Sequence, residues 1–330
     1  MDAPGVSSHP RLSVIVICRN QRELVLACVR SVLRETSPQA EPREIIVVDS
    51  ASTDGTREAL AGMPIRWVGI DESPLLCASL GRWVGTERSA GEYLLFLDGD
   101  MELLEGFVPA ALAAFERMPG AAGIVGQVLE KDPSSPGTWR DIYRIEEDAV
   151  AARFGGACLF RRSSLLAAGG FDPYIFNREE NELYSRIRKG GESVWQLPVP
   201  MAVHHDPPAS ASEKVFREVL PGRKKPLGRA QAFLRSLRKG NLLSYIRQEW
   251  MFFYSLFTDM SSAAALLILP YPADWMVTGA LQAGSLAVHG SAWSFRQYVL
   301  NKLALFQFFA GLFMARALLR RPLPAIEEST

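Results

Sequence analysis

The chain has 330 residues with 36 basic and 36 acidic side chains, so its formal net charge is zero. A neutral chain has no overall field for binding nucleic acid, which argues against that class of partner. The four cysteines lack metal-binding spacing and the first residues lack a signal-peptide pattern. These features predict reduced thiols and a first domain on the cytoplasmic side.

Alternating strands and helices are predicted for the first hundred residues. Apolar runs at Leu12–Ile17, Glu44–Val48 and Tyr93–Leu97 have the length of buried strands. Helical spacing of apolar residues occurs at Glu23–Arg34 and Leu80–Arg88. This alternation predicts an α/β fold, a Rossmann-like and mostly parallel sheet with helices on both faces. No glycine-rich dinucleotide motif or P-loop follows these strands, which disfavours both kinds of nucleotide site.

The strand Tyr93–Leu97 ends in Asp98-Gly99-Asp100. In open α/β sheets, ligands bind beyond the carboxyl ends of the strands, where these two carboxylates would lie. Mg²⁺ and Mn²⁺ prefer hard oxygen ligands, so the pair predicts a divalent cation site. An acidic turn is the alternative, since Asp and Gly are ordinary turn residues.

Five segments between Leu12 and His205 carry a family resemblance. They read SVIVICRN, EIIVVDSASTDGT, GRWVGTERSAGEYLLFLDGDMEL, GGACLFRRSSLLAAGGFDP and EENELYSRIRKGG. In this order they resemble the family 2 glycosyltransferases, which are inverting enzymes of the GT-A fold. Three positions depart from the family pattern: Ile17 replaces a usual proline, Trp83 an asparagine and Glu180 an aspartate.

The resemblance implies a nucleoside-diphosphate-sugar donor and assigns its contacts. Asp49 would contact the base, and Asp54 lies in the same loop, although either could simply cap the next helix. Arg82 would contact the base or the diphosphate, because a guanidinium matches phosphate oxygens, with a surface helix position as the alternative. Cys18 and Asn20, at the end of the first-strand motif, complete the nucleotide-binding set.

The resemblance also implies a bound Mn²⁺ or Mg²⁺. Asp100 is the expected ligand, and Asp98 would help through the ribose or a water. His204 fits the family's C-terminal metal or diphosphate ligand better than His205 does. When bound, the cation would neutralise charge on the departing nucleoside diphosphate.

Two adjacent acids are candidates for the general base. The resemblance puts Glu180 at this position, and Glu179, which precedes it, is the alternative. A carboxylate can accept the proton of an attacking hydroxyl once burial raises its pKa. Acids in the first turn of a helix are also common for electrostatic reasons alone.

The predicted organisation is a catalytic domain at 1–210, a basic helical linker at 211–249 and an apolar helical region at 250–330. The linker has a clear excess of basic over acidic residues, which would be attracted to anionic lipid headgroups. A solvated linker is the alternative.

The apolar region contains runs long enough to span a bilayer. Trp250–Ala273 has Asp259 as its single charge, Trp275–Phe295 has none, and Leu303–Ala315 is apolar again. Flanking basic residues predict attachment at the cytoplasmic face of the inner or plasma membrane. Helices lying in the interface, or packing in a homodimer, are the alternatives, because Asp259 would be costly at membrane depth.

Together these features predict a metal-dependent inverting glycosyltransferase. It would move one sugar to an acceptor hydroxyl that is lipid-linked or part of an envelope glycan. The chain lacks the Q-x-x-R-W tract of processive synthases, which favours a single transfer. A nucleotidyltransferase-like enzyme is one alternative, but its Gly/Arg/Lys-rich loop is missing. A catalytically silent membrane adaptor is another, and the presence of Asp49, Asp100 and Glu180 argues against it.

Overall fold

The computed structural model describes residues 11–35, 43–131, 138–205 and 227–288, and those from 308 to 329 except 310, 313 and 316. The chain divides into two compact units. The first comprises Met1–Pro208 together with Arg321–Thr330, and the second comprises Ala209–Arg320.

Strands and helices alternate through the first half of the first unit, as predicted, with ends that differ from the predicted ones by one or two residues. Its strands are β1 (Leu12–Cys18), β2 (Arg43–Asp49), β3 (Arg66–Ile70), β4 (Tyr93–Asp98), β5 (Met101–Leu103), β6 (Ala121–Lys131), β7 (Trp139–Asp141), β8 (Ala149–Val150), β9 (Cys158–Arg161), β10 (Ser193–His204) and β11 (Ile326–Ser329). Its helices are α1 (Arg22–Glu35), α2 (Thr56–Leu60), α3 (Ala78–Arg88), α4 (Phe107–Arg117), α5 (Arg162–Ala167) and α6 (Glu179–Lys189).

The strands form one mixed sheet in the order β11-β3-β2-β1-β4-β9-β6-β10-β5, with β7 paired to β6 and β8 to β10. Strands β3, β2, β1 and β4 are parallel neighbours, and β9 runs antiparallel to both β4 and β6. The predicted α/β sheet is confirmed, and β6 and β10 form a second parallel pair in it.

The parallel register brings three strand ends to one level. Cys18 is opposite Asp49, and Ile17 is opposite Asp98. All residues of β1 are buried, as expected for a central strand covered on both faces. The polar residues that follow these strands therefore meet at one edge of the sheet.

A C-terminal strand, β11, lies beside β3 and forms the outermost strand on that side of the sheet. The apolar helical region had been predicted to run to the end of the chain. Strand β11 pairs antiparallel with β3. Three ion pairs reinforce it: Arg57 to Glu327 at 3.0 Å, Arg66 to Glu328 at 2.8 Å, and Arg88 to Glu328. This strand satisfies the backbone groups of β3, which would otherwise be an open edge.

The second unit is helical in its described part. Its helices are α7 (Gly228–Arg238), α8 (Leu242–Gln248), α9 (Trp250–Ile268) and α10 (Ala273–Val288). Helices α9 and α10 form a hairpin whose facing sides are joined by polar contacts. The Gln282 amide donates to the Asp259 carboxylate at 3.0 Å and to the Ser262 hydroxyl at 2.8 Å. The charge of Asp259 therefore has a partner inside the hairpin.

Helix α9 is the single described helix that is long and apolar enough to cross a membrane. Only 28% of its apolar stretch is buried, whereas the core helix of a soluble domain is mostly buried. The described part of helix α10 has 16 residues. The basic cluster Arg223–Lys225 and residues 289–307 of the predicted apolar runs lie outside the described residues.

Candidate active site

The loops after β1 and β2 are tied together at the predicted nucleotide site. The Asn20 side-chain oxygen Oδ1 accepts from the Thr53 backbone N–H at 2.8 Å. The Ser52 hydroxyl accepts from the Asn20 N–H and donates to Asp49 at 2.5 Å. Asp49 is buried at the end of β2. These contacts form a preorganised loop pair at the carboxyl ends of the strands.

Two of the predicted nucleotide ligands have structural contacts of their own. Asp54 accepts from the backbone N–H of Arg22, the first residue of α1, at 2.9 Å, and from the Thr56 hydroxyl at 2.5 Å. Asp54 also accepts from the Thr56 backbone N–H at 3.1 Å, so it contacts the first residue of the following helix α2, as the helix-capping alternative expected, and that of α1 as well. Cys18 is buried, and burial raises the pKa of its thiol well above the usual value. Their contacts to nucleotide stay predictions.

Arg82 is the centre of a group that we call the arginine cluster, with Asp98, Glu179 and Glu180. Its guanidinium donates to Asp98 and Glu179 at 2.8 Å each, and to Glu180 at 3.2 Å. Arg82 is only 2% exposed, so it is not a surface arginine. One buried cation thus joins the first aspartate of the Asp-Gly-Asp motif to both candidate bases.

The arginine cluster holds more negative than positive charge, since three carboxylates share one guanidinium. Burial, followed by the charge of Glu180, raises the pKa of Glu179 to about 7, and Arg82 opposes this shift. Glu179 is 5% exposed, whereas the Glu180 side chain is 19% exposed. Glu180 is therefore the acid that an incoming hydroxyl can reach, and Glu179 is suited to hold a proton near neutral pH.

Asp100 belongs to a second group, the aspartate cluster, with Gln21, Glu130 and His204. The Gln21 amide donates to Asp100 Oδ2 at 3.1 Å. His204 Nδ1 lies 2.9 Å from Glu130, and its Nε2 lies 3.7 Å from Asp100 Oδ1. His205 instead contacts Glu102 at 2.8 Å. The His204 imidazole therefore lies near the Asp100 carboxylate, whereas His205 contacts Asp100 through its backbone N–H at 2.8 Å, and the ligand role of His204 stays a prediction.

The chemistry of the aspartate cluster fits a divalent cation. Asp100 Oδ1 is buried without a hydrogen-bond partner, and imidazole Nε2 of His204 faces it. Interaction with Asp100 and Glu130 raises the pKa of His204 to about 10, so the cluster attracts positive charge. Among the described residues, no three acidic, histidine or cysteine side chains form a complete metal-binding group. Two protein ligands plus substrate phosphates are a usual arrangement for Mg²⁺.

Two consecutive glycines form a surface against the arginine cluster. A Cβ atom on Gly156 would collide with the Asp98 carboxylate and lie 2.9 Å from the Arg82 guanidinium. A Cβ atom on Gly155 would collide with the Tyr143 hydroxyl. The sequence analysis placed these glycines only within the family segment GGACLFRRSSLLAAGGFDP and missed Tyr143, Gln21 and Glu130. Gln21 alone had a usable signal, since it follows Asn20 at the end of β1.

Comparison with known proteins agrees with this geometry. Residues 13–166 match the profile "Glycosyl transferase family 2". The glycosyltransferase AglE of Haloferax volcanii is 33% identical over 97 residues, 28% of this chain and 32% of that protein. The Campylobacter jejuni GalNAc(5)-diNAcBac-PP-undecaprenol beta-1,3-glucosyltransferase is 26% identical over 170 residues, 47% of this chain and 53% of that protein. The chain thus covers a third to a half of these relatives.

Solved structures show the same fold. The mannosyltransferase PcManGT from Pyrobaculum calidifontis, in complex with GDP-Man and Mn²⁺, superposes with a TM-score of 0.55 at 16% identity, over 94% of this chain and 90% of that one. The mixed sheet, the ordered motifs and the family match lead to one assignment. Residues 13–166 of this chain match glycosyl transferase family 2, and the chain has a GT-A-like fold.

Proposed function

We propose that this protein is a metal-dependent, inverting glycosyltransferase that moves one sugar from a nucleoside diphosphate to an acceptor hydroxyl. The observation that carries the proposal is the pair of acidic clusters on either side of Gly99. One cluster presents the accessible carboxylate of Glu180, and the other presents the partnerless oxygen of Asp100. A transferase needs both a proton acceptor and a place for a cation beside the leaving group.

Asp100 and His204 would hold Mn²⁺ or Mg²⁺, which when bound neutralises charge on the leaving diphosphate. Glu130 orients the imidazole by taking its Nδ1 side, and Gln21 holds the other oxygen of Asp100. Such outer contacts fix the direction of a ligand atom. The Mn²⁺ in the PcManGT complex supports a divalent cation for this fold.

Glu180 would accept the proton of the acceptor hydroxyl as that oxygen attacks the anomeric carbon. Its exposure leaves room for an acceptor, and Arg82 fixes its carboxylate at 3.2 Å. The buried Glu179 lies behind it on the same guanidinium and would keep the cluster from gathering a third full negative charge. Direct attack by a base-activated hydroxyl inverts the anomeric configuration.

The acceptor would be lipid-linked, with the protein held at the cytoplasmic face of a membrane by the α9–α10 hairpin. Large apolar side chains near its turn, such as Leu267 and Ile268, are largely exposed. Its polar residues Asp259 and Gln282 are bonded to each other. The undecaprenol-linked substrate named for the Campylobacter relative supports this acceptor class. A homodimer packed through the hairpin is the alternative to lipid.

A donor screen tests the catalytic proposal. The full-length protein in detergent is incubated with Mn²⁺ and a panel of UDP-, GDP- and dTDP-sugars, and release of nucleoside diphosphate is measured with and without glycoside and polyprenyl-diphosphate acceptors. We expect release from one donor, lost in excess EDTA. Undiminished activity in EDTA would contradict the metal, and no release from any donor would contradict the transferase.

Membrane attachment is tested on the same full-length protein. Vesicles of 30% anionic phospholipid are floated at low salt and at about 1 M salt, where electrostatic screening shortens to about 3 Å. An inserted hairpin stays with the vesicles and is released only by detergent. Complete release by salt would refute insertion. A dimer that does not bind vesicles would favour a hairpin that packs against a second copy of the protein. Truncation before the hairpin is unsuitable, because it also removes β11 from the sheet edge.

A further inference from the structure

Tyr143 lies on a turn that is fixed to the sheet. Asp141, the last residue of β7, accepts from the backbone N–H groups of Tyr143 at 2.9 Å and Ile145 at 2.5 Å. The Gln127 amide, on β6, donates to the Ile145 carbonyl at 2.9 Å. The backbone on both sides of Tyr143 is thus held by hydrogen bonds, so the direction of its side chain is set by the fold.

The Tyr143 hydroxyl lies directly against Gly155. Among the described residues other than the chain neighbours of Gly155, the atoms within 4 Å of a Cβ atom built on it are the Tyr143 hydroxyl oxygen and its ring carbon Cζ, the latter at 3.4 Å. The next residue, Gly156, has the same close relation to Asp98 and Arg82. Since consecutive Cα atoms are about 3.8 Å apart, the phenol and the arginine cluster lie along the same short stretch of backbone.

The surroundings of the phenol keep it protonated. Burial raises the pKa of Tyr143 well above the usual tyrosine value, and the charges of Glu180, Asp98 and Glu130 act in the same direction, with Arg153 opposing. The ring is only partly buried. Among the described residues, its hydroxyl has no hydrogen-bond partner. A protonated phenol in this position is a donor available to a ligand.

The position of Tyr143 identifies the part of the substrate it would meet. In the proposed reaction the leaving diphosphate lies on the side of Asp98 and Asp100, and the attacking hydroxyl lies at Glu180. The sugar that moves must lie between them, because displacement is in line. We infer that Tyr143 is a specificity-determining residue whose hydroxyl donates a hydrogen bond to a ring hydroxyl of the transferred sugar. This inference rests on the proposed glycosyltransferase function.

Binding of matched ligand pairs tests this role without an acceptor. Affinities of the full-length protein with Mn²⁺ are measured by calorimetry for UDP against UDP-glucose and UDP-N-acetylglucosamine, and for GDP against GDP-mannose. In Tyr143→Phe we expect the accepted nucleotide sugar to bind about three- to tenfold more weakly, the usual value of one hydrogen bond, and the bare diphosphate to bind as before. Equal loss for both ligands, or no loss for either, would overturn the inference.

Tyr184→Phe is the matched control, because the buried Tyr184 hydroxyl donates to the Ala151 carbonyl at 2.6 Å and has a structural role. This variant should lower thermal stability and leave the affinity ratio of the ligand pair unchanged. A wild-type protein that binds none of these ligands would overturn the proposed function, and the role of Tyr143 with it. Wild-type binding with an unaltered Tyr143→Phe ratio would overturn the role of Tyr143 alone.

Gly155→Ala provides a second, independent variant. In the part of the chain that the structure describes, its new methyl group conflicts only with the Tyr143 hydroxyl, so it should displace the phenol and weaken nucleotide-sugar binding by a similar factor. In a Tyr143→Phe background that conflict is absent, and the alanine should cause little further loss. Residues that act through one contact show such non-additivity. If the affinity losses of the two single variants multiply in the double variant, Gly155→Ala does not act through the Tyr143 hydroxyl.

Discussion

Asp98 and Asp100 are two residues apart, yet the fold places them in opposite environments. Asp98 is paired with a buried guanidinium that cannot leave, in a cluster tied to the candidate bases. Asp100 has beside it only the titratable imidazole of His204, at 3.7 Å, and one of its oxygens is buried without a hydrogen-bond partner. An Asp-Gly-Asp motif can therefore combine one aspartate that organises the site with another that recruits an exchangeable cation.

The clusters also handle excess negative charge differently. In the arginine cluster, burial and neighbouring charge favour a proton on Glu179. In the aspartate cluster, the proton resides on His204 between Asp100 and Glu130. A cation at Asp100 would take over the role of that proton, whereas the arginine cluster already contains its own cation, Arg82, and needs no metal ion. Substitutions within each cluster test this difference in how the two clusters balance their charge.

The largest effect is expected for Arg82→Met, which leaves three carboxylates without their shared cation. Removing one partner of a buried ion pair costs about 3–5 kcal/mol of unfolding free energy. Denaturant unfolding of the full-length protein measures this loss. Arg88→Met is the control, because Arg88 lies on the same helix and forms a partly exposed pair with Glu328. Such a pair contributes about 1 kcal/mol or less. Equal losses for the two variants would mean that the arginine cluster adds no stability of its own.

Asp100→Asn should remove the metal response and keep the fold. We expect a loss of turnover on the order of 10²- to 10³-fold, because the cation supplies several kcal/mol of charge stabilisation. Nucleotide affinity in Mn²⁺ should fall to its value in EDTA, as measured by calorimetry. Glu102→Gln, which removes an acid bonded to His205, should keep metal-dependent binding. A metal response that survives in Asp100→Asn would place the cation elsewhere.

The sequence predicted the site best where neighbouring strands are parallel. Asp49 and Asp98 follow β2 and β4, which both pair with β1, so local apolar runs were enough to bring them to one edge. The pairing of Arg82 with Glu179 spans 97 residues and passes through antiparallel strands whose order no local pattern encodes. Strand β11 was missed because IEES has neither alternation nor an apolar run. Its stability comes from β3 and from ion pairs.

Substitutions of the two glutamates of the arginine cluster should have different effects on turnover. Glu180→Gln is expected to lower turnover at least about 10²-fold, the usual contribution of general base catalysis, with donor affinity nearly unchanged. Glu179→Gln keeps the hydrogen-bonding shape of a protonated acid, so turnover should fall far less. Steady-state kinetics with the donor found in the screen measures both. If Glu179→Gln is the inactive variant, the buried glutamate is the base.

The smallest effect concerns stability as a function of pH. The folded pKa of Glu179 lies near 7, above that of an unfolded glutamate, so between about pH 5 and 7 the folded state binds more protons than the unfolded state. The unfolding free energy contributed by Glu179 therefore falls as pH rises through this range, by at most about 1.4 kcal/mol per pH unit. Glutamine cannot ionise, so Glu179→Gln should lose less stability than the wild type between pH 5 and 7. Denaturant midpoints at three pH values measure the difference. Parallel curves for the two proteins would show that Glu179 is already ionised at pH 5, and that Arg82 alone balances the arginine cluster.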